Sequence, residues 1–111
     1  MQKMTLKEVC KNLGVTRRAV QGYEKAGLVS SSGKNKYGYL LYDEVAIEKI
    51  RTIKMYQDFG FAIKEIKELL VVSDETYVRI MKERVIAMKM EVEMLERNIQ
   101  IAEKCIRERK K

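Results

Sequence analysis

Residues 5–42, TLKEVCKNLGVTRRAVQGYEKAGLVSSSGKNKYGYLLY, predict two short helices followed by a small β-wing. Thr5 and Glu8 have the spacing of a capping box, in which each side chain binds the other residue's backbone N–H. Gly14 predicts the end of the first helix and Thr16 the start of the second. A helix, a short glycine-containing turn and a second helix are typical of a helix-turn-helix.

The predicted second helix has an apolar face and a polar face. The apolar face consists of Ala19, Val20, Tyr23 and Ala26. The polar residues recur at i, i+3, i+4 and i+7 and form one outward stripe: Arg18, Gln21, Gly22 and Lys25. Such a stripe suits a DNA major groove, where donors meet base edges and cations meet phosphates. A solvated helix face is the alternative interpretation.

The wing is predicted from a polar loop and a β-favouring segment. Residues 30–36, SSSGKNK, form the loop, and residues 37–42, YGYLLY, form a strand. Val29 and Ser30 are expected to supply the opposing strand. The hairpin tip then carries Lys34, Lys36, Tyr37 and Tyr39, whose donors suit phosphate contacts. Alternatively, this is an ordinary basic hairpin whose tyrosines pack on the core.

Positive charge is concentrated at one end of the chain. Residues 1–42 contain eight Lys and Arg against two Glu, a net charge of +6, whereas residues 43–111 contain fifteen against fourteen, a net charge of +1. A segregated positive field on a helix-turn-helix indicates nucleic-acid binding. We therefore expect contacts with double-stranded DNA from Thr16, Arg17, Arg18, Gln21, Lys25, Lys34, Lys36, Tyr37 and Tyr39.

Three further helices are predicted after the wing. Asp43 begins the third, which has an inner face of Ala46, Ile47, Ile50 and Ile53. Residues 59–61, FGF, end it, and a fourth, shorter helix carries Ile63, Ile66, Leu69 and Leu70. Ser73 or Asp74 begins the fifth and longest helix.

The last predicted helix carries an uninterrupted heptad seam. Its apolar residues alternate in steps of three and four: Val78, Met81, Val85, Met88, Val92, Leu95, Ile99, Ala102 and Ile106. The seam would run about 42 Å at the rise of an α-helix, which a domain of this size cannot cover by itself. It predicts a coiled-coil homodimer, with folding back on its own domain as the alternative. A second apolar row is expected to pack partly on the partner's N-terminal domain: Ile80, Ala87, Met94 and Ile101.

The fold class that follows is mostly α: a winged helix-turn-helix domain, residues 1–72, and a coiled-coil dimerisation helix, residues 73–111. Composition excludes several other classes. The two cysteines lie far apart, and there is no histidine, no metal-ligand motif and no nucleophile with a candidate base. We therefore expect no enzymatic activity, no metal and no cofactor. No apolar run suits a signal peptide or a membrane span, so the expected compartment is a reducing cytoplasm.

Several motifs together resemble the MerR family of bacterial transcription regulators. They are LKEV (6–9), LGVT (13–16), RAV (18–20), YEKAGLV (23–29), GYLLY (38–42) and FGF with IKEIKELL (59–61 and 63–70). The resemblance is strong over residues 4–72 and generic for the last helix. It implies homodimers joined by antiparallel long helices, which bind pseudo-palindromic operators and distort promoter DNA so that RNA polymerase can use it.

The chain departs from the family pattern at three positions. The family often has Arg where this chain has Gln21, an aromatic residue at Gly22, and usually Arg at Leu40. Lys34 and Lys36 are candidates to compensate in the wing. These departures support a rival interpretation, in which the protein is a coiled-coil adaptor or an architectural, excisionase-like DNA-bending protein without promoter-specific regulation.

The sequence predicts no separate effector domain. Metal-sensing members of the family place cysteines in a loop after the dimer helix, and Lys111 leaves no room for such a loop. Cys105 lies beside the heptad seam, where a structural role is favoured over a redox or ligand role because no second ligand or basic activator is near. Cys10 belongs to the apolar face of the first helix.

Overall fold

A computed structural model describes residues 3–110, and the chain divides into two compact units, Met1–Val71 and Val72–Lys111. Residues 1 and 2 of the expected DNA-binding domain, and Lys111 of the expected basic tail, lie outside the described residues. In chain order, the described elements of the first unit are β1 (Met4–Thr5), α1 (Leu6–Leu13), α2 (Arg17–Lys25), β2 (Gly33–Lys34), β3 (Leu40–Tyr42), α3 (Glu44–Asp58) and α4 (Ile63–Leu69). The second unit contains α5 (Asp74–Arg109).

The helices begin where the capping residues predict. In each case the side-chain oxygen of the cap accepts the backbone N–H three residues later: Thr5 (3.3 Å), Thr16 (3.0 Å), Asp43 (2.9 Å) and Ser73 (3.3 Å). The Thr5 N–H donates in return to the Glu8 carboxylate at 3.0 Å, which completes the capping box and lowers the Glu8 pKa. Gly14 takes the left-handed conformation, φ 66°, that turns the chain from α1 into α2.

The core of the first unit confirms the predicted apolar faces except at Leu70, which follows α4 and is 53% exposed. Val9 from α1 and Val20 from α2 are fully buried, together with Ile50 of α3 and Ile66 of α4. The predicted inner face of the third helix is buried throughout, and Tyr56 extends it. Four helices thus share one small apolar core, which fixes the direction of α2.

The sheet corrects two predictions. The strand opposite β3 is Gly33–Lys34 rather than Val29 and Ser30, with Gly33 facing Leu41 and Lys34 facing Leu40. The β-branched side chain of Val29 is buried in the core instead, and only 6% of it is exposed. The predicted strand at residues 37–42 begins at Leu40, because the residues before it form the hairpin turn.

A third strand completes the sheet and had no signal in the sequence. β1 pairs antiparallel with the other edge of β3, with Met4 facing Tyr42 and Thr5 facing Leu41, so that the strand order is β1-β3-β2. β1 leads directly into α1. The sheet therefore joins the start of the helix-turn-helix to the wing.

Gly22 does not belong to the outward stripe of α2. It is half-buried, and a Cβ added to it would lie 3.8 Å from Cδ1 of Ile63, at the start of α4. The other three residues of the stripe, Arg18, Gln21 and Lys25, are exposed as predicted. The absence of an aromatic side chain at Gly22 therefore affects the side of α2 that faces α4, and not its exposed face.

The second unit is one continuous helix, and none of its described residues is buried. Six large apolar side chains of the seam are about half exposed, from 41% for Val85 to 61% for Leu95, whereas Met81 and Met88 are partly buried. A solitary helix gains little stability without packing of its apolar face, and the exposed apolar side chains of α5 are available for such packing. None of the described helices would span a bilayer, because each is too short or too polar.

Replacing Gly22 with alanine should stabilise the first unit. Its φ is not in the left-handed region, and 3.8 Å to Ile63 is an ordinary contact, so the new methyl group fits. Alanine in a helix interior is favoured over glycine by about 0.5–1 kcal/mol. Urea unfolding at fixed protein concentration measures this gain. A loss of stability would mean that the contact with α4 is tighter than described.

Candidate nucleic-acid interface

The exposed face of α2 is narrow and basic. Arg17, Arg18, Gln21 and Lys25 are all exposed and lie within an arc of about 100° around the helix axis. Thr16 is exposed just before them. Its hydroxyl oxygen accepts the Ala19 N–H, so it caps the helix and retains a hydroxyl proton to donate. The structure therefore brings the expected contact residues of the second helix together.

The wing tip is organised by Asn35, which the sequence analysis did not single out. Its side-chain oxygen accepts the backbone N–H groups of Tyr37 at 2.9 Å and Tyr39 at 3.0 Å. Its backbone N–H donates to the Tyr39 carbonyl, and its own carbonyl accepts from Gly38. This is a three-residue hairpin loop with Gly38 in the left-handed conformation, φ 83°. In the sequence, the signal that could have predicted this turn is Asn35 followed three residues later by Gly38.

The wing side chains that were predicted to contact DNA project into solvent. Tyr37 is 70% exposed and Tyr39 is 62% exposed, so neither tyrosine packs in the core. Their rings lie 6.4 Å apart, and Nζ of Lys36 lies 5.1 Å from the centre of the Tyr37 ring. Lys34 is exposed on β2. The tip thus presents cations and hydroxyl groups on a turn that Asn35 holds in shape.

The positive side chains at this end have no ion-pair partner among the described residues. None of the eight Lys and Arg in residues 3–42 forms an ion pair with a described carboxylate, and the ion pairs within α3 and α5 lie elsewhere. Both nearby acids have other roles. Glu8 accepts the hydrogen bonds of Thr5, and Glu24 accepts one from the Tyr42 hydroxyl. The surface therefore has an uncompensated positive field that attracts polyanions.

Two buried tyrosine hydroxyls form hydrogen bonds that hold the buried side of α2. Tyr42 of β3 is 1% exposed and donates to Glu24. Tyr23 is also 1% exposed and donates to the side-chain oxygen of Gln57, on α3, at 2.6 Å. Burial raises the pKa of both hydroxyls, with a further contribution from Glu24 at Tyr42 and from Asp58 at Tyr23. Both therefore remain protonated donors over the neutral pH range.

This geometry defines the class of protein. A helix-turn-helix with an exposed basic second helix, joined to a basic β-hairpin, is a winged helix-turn-helix DNA-binding domain. The chain belongs to the MerR HTH family of regulatory proteins, whose family model matches residues 4–71. The motif-based resemblance to that family, and the mostly α fold with a winged helix-turn-helix and a long C-terminal helix, are confirmed.

Relatives by sequence are transcription regulators. The mercuric resistance operon regulatory protein of Bacillus cereus is 31% identical over 72 residues, which is 65% of this chain and 54% of that protein. The transcriptional activator mta of Bacillus subtilis is 32% identical over 68 residues, 61% of this chain and 26% of that protein. The chain spans about half the length of the first curated relatives that it matches.

Solved structures share the fold over most of this chain. HiNmlR, described as a MerR family regulator lacking the sensor domain and bound to promoter DNA, superposes with a TM-score of 0.72 at 17% identity and covers 89% of this chain and 80% of its own. A MerR family regulator from Bacillus cereus has a TM-score of 0.73 at 22% identity, with 89% and 76% covered.

Substituting Asn35 with alanine should weaken DNA binding while leaving the core intact. The change removes the acceptor for two backbone N–H groups, so the wing tip loses its fixed turn and pays an ordering cost on binding. We expect a loss of affinity of about threefold to tenfold, measured by fluorescence anisotropy with duplex DNA, and little change in the thermal midpoint. Ser31→Ala, outside the turn, is the control. Equal affinities would show that the tip does not contact DNA.

Proposed function

We propose that this protein is a homodimeric, sequence-specific transcription regulator that binds a pseudo-palindromic operator and distorts promoter DNA. Residues 1–72 would bind DNA, and residues 73–111 would form the dimer. The observation that carries the proposal is the uncompensated positive charge shared by α2 and the wing, on side chains that are exposed and have no carboxylate partner among the described residues.

The exposed face of α2 suits the major groove. A major groove admits one α-helix, and an arginine there can donate two hydrogen bonds to O6 and N7 of a guanine. Arg18 would read a base in this way, Gln21 would contact a neighbouring base, and Arg17 and Lys25 would meet phosphates. Thr16 would donate its hydroxyl proton to a phosphate at the start of the helix.

The wing would contact the sugar-phosphate backbone beside the recognition helix. Lys34 and Lys36 supply cations, and Tyr37 and Tyr39 supply hydroxyl donors on a fixed turn. Bending a site by tens of degrees costs several kcal/mol, roughly 1–6 for smooth deformation. Contacts from two wings and two recognition helices would offset that cost. Distortion of this kind would realign promoter elements for RNA polymerase, and the structure of HiNmlR bound to promoter DNA supports this context.

The seam of α5 would join two chains as an antiparallel coiled coil. Burial of one Val, Leu, Ile or Met side chain contributes roughly 1.5–3 kcal/mol. The eight large seam residues of each chain would bury the parts of their side chains that are exposed in the single chain, and this burial would offset the cost of association, roughly 4–15 kcal/mol. Val92 is the midpoint of the seam, so a two-fold axis would pass near it. A dimer with that symmetry reads two inverted half-sites, which gives the pseudo-palindrome.

An apolar groove on the first unit would receive part of the partner's second apolar row. The groove has a volume of about 670 Å³ and its apolar lining includes Leu28, Val45, Ile53 and Leu70. Val45 is 62% exposed and Leu70 is 53% exposed. Leu70 lies four residues before the first residue of α5, so this surface is continuous along the chain with the proposed dimer helix.

Selection of bound duplexes from a random DNA pool at near-physiological salt tests the proposal. We expect an enriched inverted repeat, and Arg18→Ala should weaken binding to it by about 1–3 kcal/mol and relax the preference at one base pair of each half-site. Lys64→Ala, on α4, controls for the lost charge. Salt-sensitive binding without enrichment would instead favour an architectural, DNA-bending protein, and no binding would favour a coiled-coil adaptor.

Leu95→Glu should dissociate the dimer. The residue lies near the middle of the seam and is 61% exposed in the single chain, so a symmetric pair would bury two added charges close together. Met90→Glu is a matched control, because Met90 is 63% exposed on the opposite side of α5. Sedimentation should show a wild-type dimer at micromolar concentration and a dissociation constant raised at least about a hundredfold by Leu95→Glu alone. A wild-type monomer would contradict the dimer.

A further inference from the structure

A groove of about 520 Å³ separates the first turn of α1 from the wing, and three elements contribute to it. The residues that line it are Thr5, Leu6, Lys7, Arg17, Gly38, Tyr39 and Leu40. The wing side is open, since a Cβ placed on Gly38 would meet no atom within 4 Å. The groove lies within the first unit and is separate from the apolar groove beside α3.

The lining of this groove favours an anion. It contains two cations, Lys7 and Arg17, and no carboxylate. Both cations are exposed, and neither forms an ion pair with a carboxylate of the described chain. Glu8 is adjacent in sequence, but its carboxylate accepts the N–H and hydroxyl of Thr5 at 3.0 and 3.1 Å. Two unneutralised cations facing one concave surface are suited to a phosphate group.

We propose that this groove binds one phosphodiester of the DNA backbone, and that Lys7 of α1 is a DNA contact additional to those of α2 and the wing. The inference rests on the proposed function, because Arg17 and Tyr39 belong to the surface expected to face DNA and also line the groove. A DNA strand that contacts both Arg17 and Tyr39 would pass over the groove that these two residues line. Lys7 then neutralises a phosphate that neither α2 nor the wing covers alone.

The salt dependence of binding tests this contact. Each phosphate neutralised by the protein contributes about 0.9 to the slope of log affinity against log salt. In a dimer two Lys7 side chains take part, so Lys7→Ala should lower the slope by about 2 and weaken binding roughly tenfold or more, equally on an enriched operator and on a scrambled duplex. Lys7→Arg should retain the slope.

Lys67→Ala is the matched control, because Lys67 is an exposed lysine of α4 that lines neither groove and carries the same charge. Its slope should stay close to wild type. Equal slopes for Lys7→Ala and wild type, or equal losses for Lys7→Ala and Lys67→Ala, would overturn the proposal. If wild-type protein shows no salt-dependent DNA binding at all, the proposed function itself fails, which is a distinct result.

Two further measurements identify the source of the phosphate. Neutral methylphosphonate linkages placed singly along the operator should include one that weakens wild-type binding severalfold but leaves Lys7→Ala unchanged. The absence of such a position would overturn the assignment to the backbone. Titration of free protein with inorganic phosphate, followed by NMR shifts of α1 amides, tests a free-anion site. Lys7-dependent phosphate binding together with an unchanged DNA slope would replace the proposal with that site.

Discussion

The hydroxyl of Tyr42 donates a hydrogen bond to Glu24, and this contact links the sheet of the wing to α2. Tyr42 is the last residue of β3, the strand that pairs with β1 before α1 and with β2 in the wing. Asp43 follows it and caps α3. Tyr42 thus links the sheet to α2, and the residue that follows it links the sheet to α3. Because burial keeps the hydroxyl protonated, the donor persists over the neutral range.

The basic face lowers the stability of α2, the helix that carries most of it. α2 has no acidic residue in its first turn and begins with Arg17 and Arg18, next to the positive end of its own macrodipole. Each such cation costs about 0.3–1 kcal/mol. Thr16 offsets part of this by capping the helix, and Tyr23 and Val20 anchor its buried side. Cations in the first turn of a helix are locally unfavourable, and such unfavourable residues on a well-supported surface are typical of a functional site.

Local features were predictable from the sequence, and long-range pairing was not. Thr5, Thr16 and Asp43 cap helices through bonds that span three residues, so their spacing alone identified them. The prediction of Val29 and Ser30 as the strand opposite β3 was wrong. Val29 has the β-branched side chain typical of a strand, but it is buried in the core. The actual strand, β2, consists of Gly33 and Lys34, which show no alternation of apolar and polar residues. Asn35 acts through backbone N–H groups, which a search for charged contacts overlooks. The proposed contact of Lys7 could not be inferred from the sequence, because the groove that it lines is formed by α1, α2 and the wing together.

The absence of any buried residue along α5 has a consequence for how the chain is maintained in a cell. A lone chain carries its longest helix without tertiary protection, so its backbone opens at little cost and is accessible to proteases. The first unit, which has its own core, does not share this weakness. Pairing through the seam would remove it. Proteases would then degrade unpaired chains faster than paired ones. Because pairing increases with concentration, the amount of intact protein would rise more than in proportion to its rate of synthesis.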